Sequence, residues 1–168
     1  CSGVTSPIAG YAVREVTHVG ATHKSRRSAR QNQALSALEN APIRWFYEAA
    51  MNFSLREERR GNTYDIRLTD PPKFGRGPNG EVWHLFEHLP VMLDICREIL
   101  SPKAVGLVLT AYSIRASFYS IHELMRETMR GAGGVVESGE LVIREAGLDG
   151  NTPGRALSTS LFSRWVPK

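Results

Sequence analysis

Asp70, Pro71, Pro72 and Lys73, followed by Phe74, are the residues of this chain best placed to do chemistry. They close the strand-like run Tyr64-Asp65-Ile66-Arg67-Leu68-Thr69. Each proline fixes its own φ at about −65° and removes one backbone donor. The residue before a proline is driven out of the helical region. An acid followed by two prolines is therefore a stiff, extended elbow at the carboxyl end of a strand. In open α/β sheets, ligands bind at that edge. Such an elbow can hold a carboxylate and a few backbone carbonyls at fixed positions around a reacting group. The competing reading is a Pro-Pro turn that only ends an element.

Other candidate motifs are weaker. Gly75-Arg76-Gly77-Pro78-Asn79-Gly80 matches G-x-G-x-x-G literally, but it does not follow a strand directly, and Pro78 removes a donor that a phosphate cradle would use. It reads better as a loop beside the elbow, of the kind that can cover a substrate. His84-Leu85-Phe86-Glu87-His88 matches H-x-x-E-H, a zinc hydrolase pattern. No downstream acidic ligand accompanies it, so a polar helix flank is the better reading and no metal is expected. His23, Lys24, Arg26, Arg27 and Arg30 form a basic cluster at the start of one helix. A solvated helix face is preferred there over a phosphate or RNA contact. Arg56, Arg59 and Arg60 alternate with Glu57 and Glu58, as helix-face ion pairs do. Cys96 falls on an apolar stripe and reads as a core residue.

The elements that must position the elbow follow from periodicity and punctuation. Ser6-Pro7 is an N-cap followed by proline at the first helical position, opening a short helix to about Arg14. A strand over Glu15 to Gly20 precedes a basic helix from Lys24 to Leu38. Ile43 to Tyr47 is a second strand, Asn52 to Arg60 a helix and Tyr64 to Thr69 a third strand. Val82, Leu85, Phe86, Leu89, Leu93, Cys96 and Leu100 keep helical spacing, with Pro90 expected to break or kink the segment. Val105 to Leu109 is the nearly continuous apolar run of a strand buried on both faces. A helix from Phe118 to Arg130 stops at Gly131. Strands at Val135 to Val142 and Ala156 to Val166 flank the turn Asp149 to Gly154. This alternation predicts an α/β three-layer sandwich with a mostly parallel sheet.

The 168 residues fit one domain, residues 1–168, with 42% hydrophobic content. No apolar run is long enough for a transmembrane helix. Two cysteines, Cys1 and Cys96, make no disulfide framework, and with no signal peptide a cytoplasmic location is expected. A net charge of +4 permits contact with nucleic acid without requiring it.

In this setting Asp70-Pro71-Pro72-Lys73-Phe74 resembles the motif of class I S-adenosylmethionine-dependent methyltransferases, most closely the branch that includes large-subunit ribosomal RNA methyltransferases. The resemblance covers almost the whole chain. It implies a Rossmann-like sheet of seven strands whose last strand is antiparallel. Val16 to Val19 would be the second strand, Ile43 to Tyr47 the third, Tyr64 to Thr69 the fourth and Val105 to Leu109 the fifth. Cys1-Ser2-Gly3 is similar to the end of the glycine-rich cofactor loop, with the first strand expected to be missing by N-terminal truncation. Ser2, Gly3, Gly20, Glu48 and Asp70 would then line the S-adenosylmethionine pocket. Gly20 stands where the family usually has a ribose-binding acid, and Glu48 near where a second acid contacts the adenine region. Asp70 and Pro71-Pro72-Lys73 would position the acceptor, with Lys73, Phe74 and Arg76 facing the substrate. Thr110-Ala111-Tyr112-Ser113 lacks the cysteine that cytosine-C5 chemistry needs, which favours N-methylation of a base in RNA, ribosomal RNA above all. The alternative is a degenerate methyltransferase fold that binds RNA or a protein partner without catalysis.

Overall fold

The computed structural model describes residues 6, 9, 15–112, 114–146 and 154–168. Its elements are β1 (Val16–Gly20), α1 (His23–Leu35), β2 (Ile43–Tyr47), α2 (Ala50–Arg59), β3 (Ile66–Thr69), β4 (Phe74–Arg76), β5 (Val82–His84), α3 (Leu85–Glu98), β6 (Gly106–Ala111), α4 (Phe118–Thr128), β7 (Val135–Arg144) and β8 (Ala156–Val166). Ser6 and Ala9 are helical, and the rest of the helix expected before Arg14 lies outside the described residues. So do Ser113 and most of the expected turn at Asp149 to Gly154. The chain separates into two compact units, residues 1–57 with 74–83 and residues 58–73 with 84–168.

In the first unit, β1 and β2 run parallel in the register Val16↔Ile43 to Gly20↔Tyr47, with α1 as the crossover between them. Parallel neighbours require such a crossover, and here it brings the carboxyl ends of both strands to one edge. Apolar side chains fix this arrangement: Ala29 of α1 is fully buried, and Phe53 of α2 is 1% exposed against Phe46 of β2, with ring centroids 5.1 Å apart. β4 and β5 pair as a short hairpin. The sequence reading had placed Val82 on a helical stripe and residues 75–80 in a loop. Instead the stripe starts at Leu85, because Val82 to His84 are spent on pairing with Phe74 to Arg76.

In the second unit the sheet order is β3-β6-β8-β7. β3 and β6 are parallel, with Thr69 opposite Leu109, whereas β8 is antiparallel to both β6 and β7. Leu107 and Leu109 are fully buried on one face of β6, but Val108 on the other face is half-buried and Val105 is exposed, so the apolar run is not buried on both faces as expected. The start of β3 is held by Tyr64, which bridges Leu100: Tyr64 N donates to Ile99 O at 2.9 Å and Ser101 N donates to Tyr64 O at 3.0 Å. α3 is not broken at Pro90. The missing Pro90 donor would serve the carbonyl of Phe86, a residue on the exposed side of the helix, and one lost bond there leaves the helix continuous. Ser117 caps α4 by accepting from Ser120 N, and Arg97 of α3 donates to the Thr128 carbonyl at 2.8 Å, closing the other end of that helix.

The turn into β7 depends on a missing side chain. Gly134 has φ of +81°, and a Cβ there would lie 2.3 Å from Val166 O and 2.7 Å from the Trp165 indole nitrogen, which itself donates to Gly133 O at 2.7 Å. Gly134→Ala is expected to destabilise the chain by about 1–3 kcal/mol through strain and lost pairing at β8. Leu93→Ala, at a fully buried position of α3, should cost about 2–5 kcal/mol. Urea denaturation of both variants checks these values.

Candidate active site

The elbow stands where the sequence places it, at the carboxyl end of β3. The parallel register sets Thr69 opposite Leu109, so the next residues along, Asp70 and Thr110, become neighbours. Thr110 Oγ1 donates to Asp70 Oδ1 at 2.7 Å, and buried Thr69 donates to Val108 O at 3.0 Å. On the far side of the prolines, Leu85 N donates to Lys73 O at 3.0 Å, tying the elbow to the start of α3. The segment from Asp70 to Lys73 is thus pinned at both ends. Oδ2 of Asp70 has no partner among the described residues and can accept an N–H or O–H from a ligand. Asp70, Pro72 and Lys73 are exposed, and Pro71 is half-buried.

Gly20 and Glu48 come together in the first unit. Gly20 ends β1, and Glu48 follows the end of β2, with Glu48 N donating to Gly20 O at 3.3 Å. The parallel pair therefore presents one carboxylate where two could stand. Glu48 Oε2 is paired with Arg56, whose guanidinium lies over the rings of Phe46 and Phe53, 5.8 and 5.1 Å from their centroids. Glu48 Oε1 remains for a ligand hydroxyl. The position thus fits one hydrogen bond to a ribose diol rather than two, and Gly20 adds backbone only. Ser2 and Gly3 lie outside the described residues.

Phe74 and Arg76 lie on β4, both exposed. A polar lock in the turn fixes the hairpin that carries them. Asn79 N and Asn52 Nδ2 of α2 donate to the two Glu81 carboxylate oxygens at 2.9 and 2.7 Å, and Gly77 N donates to Glu81 O at 2.8 Å. A Cβ on Gly77 would lie 2.2 Å from Glu81 Oε2 and 3.2 Å from Ala49 Cβ. The Glu81 carboxylate fills the side-chain space at Gly77, so that space is not open to a dinucleotide. Hydrogen bonds from the Glu81 and Asn79 backbone hold the Glu81 carboxyl below the usual carboxylate range.

Thr110, Arg56 and Glu81 support the site in roles that sequence reasoning does not assign to them. Thr110 had a signal, as the first polar residue after the Val105 to Leu109 run in a strand parallel to β3. Glu81 and Arg56 had none, because their roles depend on tertiary neighbours. His84 and His88 lie with ring centroids 6.3 Å apart and 18° between planes. His84 N donates to His88 Nδ1 at 3.0 Å, so the second ring caps the start of α3. Among the described residues no three His, Cys, Asp or Glu side chains are grouped to hold a metal ion. Among the same residues no helix is long and apolar enough to cross a membrane.

A parallel β-α-β unit, with candidate ligand residues at carboxyl strand ends and an antiparallel closing pair, defines an α/β protein of the Rossmann-like class. Comparison with known proteins narrows that class. No protein-family model and no curated protein sequence matches the chain. Among solved structures it is similar to the SAM-dependent methyltransferase from Agrobacterium tumefaciens, at 76% identity and a TM-score of 0.95 over 99% of this chain and 54% of that one. The chain thus spans about half the length of that relative. It also resembles SMU.776, provisionally assigned as a methyltransferase and complexed with SAH (18% identity, TM-score 0.60, 90% of this chain and 39% of that one). An rRNA methylase from Streptococcus thermophilus matches at 10% identity and a TM-score of 0.54, over 99% of this chain and 81% of that one. The last two likenesses are of fold alone. The chain has the Rossmann-like fold of class I S-adenosylmethionine-dependent methyltransferases.

The lowered Glu81 carboxyl gives a signed pH dependence. A depressed folded value means that the stabilisation is complete above the unfolded-chain value and is lost as pH falls through the folded one. Urea midpoints between about pH 3 and pH 7 should therefore fall at the acid end. Glu81→Gln should show a shallower acid loss than the wild type.

Proposed function

We propose that this chain forms part of an S-adenosylmethionine-dependent methyltransferase that methylates a nitrogen on an RNA base. The observation that carries the reading is the Asp70 carboxylate, held by Thr110 at the carboxyl edge of β3 and β6 and stiffened by Pro71-Pro72. The similarity to the Agrobacterium tumefaciens methyltransferase supports the activity. Lack of a cysteine among Thr110, Ala111 and Tyr112 favours a nitrogen over cytosine C5, and the distant likeness to an rRNA methylase supports RNA as the acceptor.

When bound, S-adenosylmethionine supplies the methyl group on its sulfonium. The residues of this chain do the positioning. Asp70 Oδ2 accepts a hydrogen from the exocyclic or ring N–H of the acceptor and so turns the nitrogen lone pair toward the incoming carbon. The prolines restrict the backbone, so the carbonyls of Asp70 and Pro71 keep fixed positions toward a ligand. Fixing the acceptor in a near-attack geometry is the main catalytic contribution available here. Glu48 Oε1 receives a ribose hydroxyl, with Gly20, Gly3 and Ser2 lining the rest of the cofactor pocket. Lys73, Phe74 and Arg76 face the RNA, Phe74 by stacking on a base.

One observation favours a second reading, a methyltransferase fold that binds RNA or a protein without catalysis. Gly20 has no side chain and Glu48 shares its carboxylate with Arg56, so the diol loses charge-assisted hydrogen bonds worth about 1.5–3 kcal/mol each. Cofactor affinity should then be about ten- to a hundredfold weaker than with two free acids.

Calorimetric titration of S-adenosylmethionine separates the two readings. Heat with saturation in the micromolar to millimolar range is expected, and its absence throughout defeats the enzymatic one. Given binding, Asp70→Ala should lower methyl incorporation from radiolabelled cofactor into RNA by about a hundredfold or more, while cofactor affinity moves far less. Thr110→Val, which frees the carboxylate, should lie between wild type and Asp70→Ala.

A further inference from the structure

The net charge of the chain is concentrated in a single helix. α1, with the sequence HKSRRSARQNQAL, carries Lys24, Arg26, Arg27 and Arg30 and no acid. The whole chain has 21 Lys and Arg against 17 Asp and Glu. Subtracting the four of α1 from 21 leaves 17, so the remainder is balanced. Several cations of that remainder are paired: Arg44 with Glu15, Arg126 with Glu123, Arg155 with Glu145 and Arg164 with Glu137. Among the described residues, none of the four α1 cations has a carboxylate within ion-pair distance.

This arrangement works against the helix. Cations in a first turn oppose the helix dipole, at about 0.3–1 kcal/mol each. Lys24–Arg27, Arg27–Arg30 and Arg26–Arg30 are like-charge pairs at i,i+3 or i,i+4 spacing, which is also destabilising. With about 100° between successive residues, His23, Arg27 and Arg30 fall within about 60° of one another, and Lys24 lies one step beyond. All four are exposed, on a face turned away from buried Ala29 and Gln33. Beside them is a flat aromatic surface. The His23 ring stacks on Tyr47 with centroids 3.7 Å apart and 22° between planes, and the Arg26 guanidinium lies 5.9 Å from the Tyr47 centroid.

We infer that the exposed face of α1 binds the phosphate backbone of an RNA strand, through Lys24, Arg27 and Arg30, with the His23–Tyr47 stack as a platform for a neighbouring base. The inference rests on RNA being the acceptor, and it names a binding surface separate from the elbow. Unpaired guanidinium groups suit phosphate oxygens. Cations beside an aromatic stack are the pairing used to hold single strands without reading their sequence. The exposed face carries a single large apolar side chain, Leu35, where a basic helix that enters a membrane surface presents a whole apolar face.

The test is fluorescence anisotropy of a labelled mixed-sequence RNA of about 20 nucleotides. The full chain is compared with a Lys24→Gln, Arg27→Gln, Arg30→Gln variant. Arg126→Gln with Arg155→Gln serves as a charge-reduced control. At about 50 mM salt the α1 variant should bind at least tenfold more weakly, and its slope of log affinity on log salt should be shallower by about 2, at about 0.7 per lost phosphate contact. The control should change neither by comparable amounts. Equal affinity and slope in wild type and α1 variant would overturn the inference. So would displacement of the RNA by polyglutamate as effective as by unlabelled RNA, which would mark a surface for acidic protein. RNA binding that depends on α1 without any methyl transfer defeats the methyltransferase reading alone. Methyl transfer to RNA with affinity indifferent to the α1 variant defeats this surface alone.

Discussion

Parallel strand pairing is the constraint on which the rest of this structure depends. A parallel ladder brings the carboxyl ends of neighbouring strands to one edge, and it demands a crossover long enough to return the chain to the start. In β1 and β2 that crossover is α1, and the shared edge carries Gly20 and Glu48. In β3 and β6 the shared edge carries Asp70 and Thr110. Had either pair been antiparallel, the two members would sit at opposite ends of their ladder. The hydrogen bond between Thr110 and Asp70 is thus a consequence of register before it is a feature of a site.

The two edges solve different problems. Around Asp70 the backbone is overdetermined: prolines restrict it, Thr69 and Thr110 anchor it on β6, and Lys73 is held by Leu85. A carboxylate on such a support loses little entropy when it orients a ligand. At Glu48 the emphasis is electrostatic. Arg56, lying over the rings of Phe46 and Phe53, is paired with the one carboxylate present.

Much of this was legible in the residues. The elbow could be read because proline acts locally, and β6 because a strand paired along both edges keeps a nearly unbroken apolar run. β8 matched its expected range of Ala156 to Val166, and the other strands lay within a few residues of theirs. The errors share one cause. Val82 was assigned to a helix and Phe74 to Arg76 in part to a loop because hairpin pairing between short segments leaves almost no periodicity. Pro90 was expected to interrupt α3, but local stereochemistry could not show that Phe86 faces solvent there. The support for the site was least visible. Arg56 looked like one more member of a charged helix face, and only the packing of Phe46 and Phe53 beneath it shows its different role.

The Gly77–Glu81 turn ties two positions into one unit of sequence change. Because the Glu81 carboxylate occupies the volume where a side chain at 77 would project, a larger residue at 77 turns that carboxylate away from Asn79 N and from the Asn52 amide of α2. A change at the tip of this hairpin is thus felt in a helix more than twenty residues away in the chain.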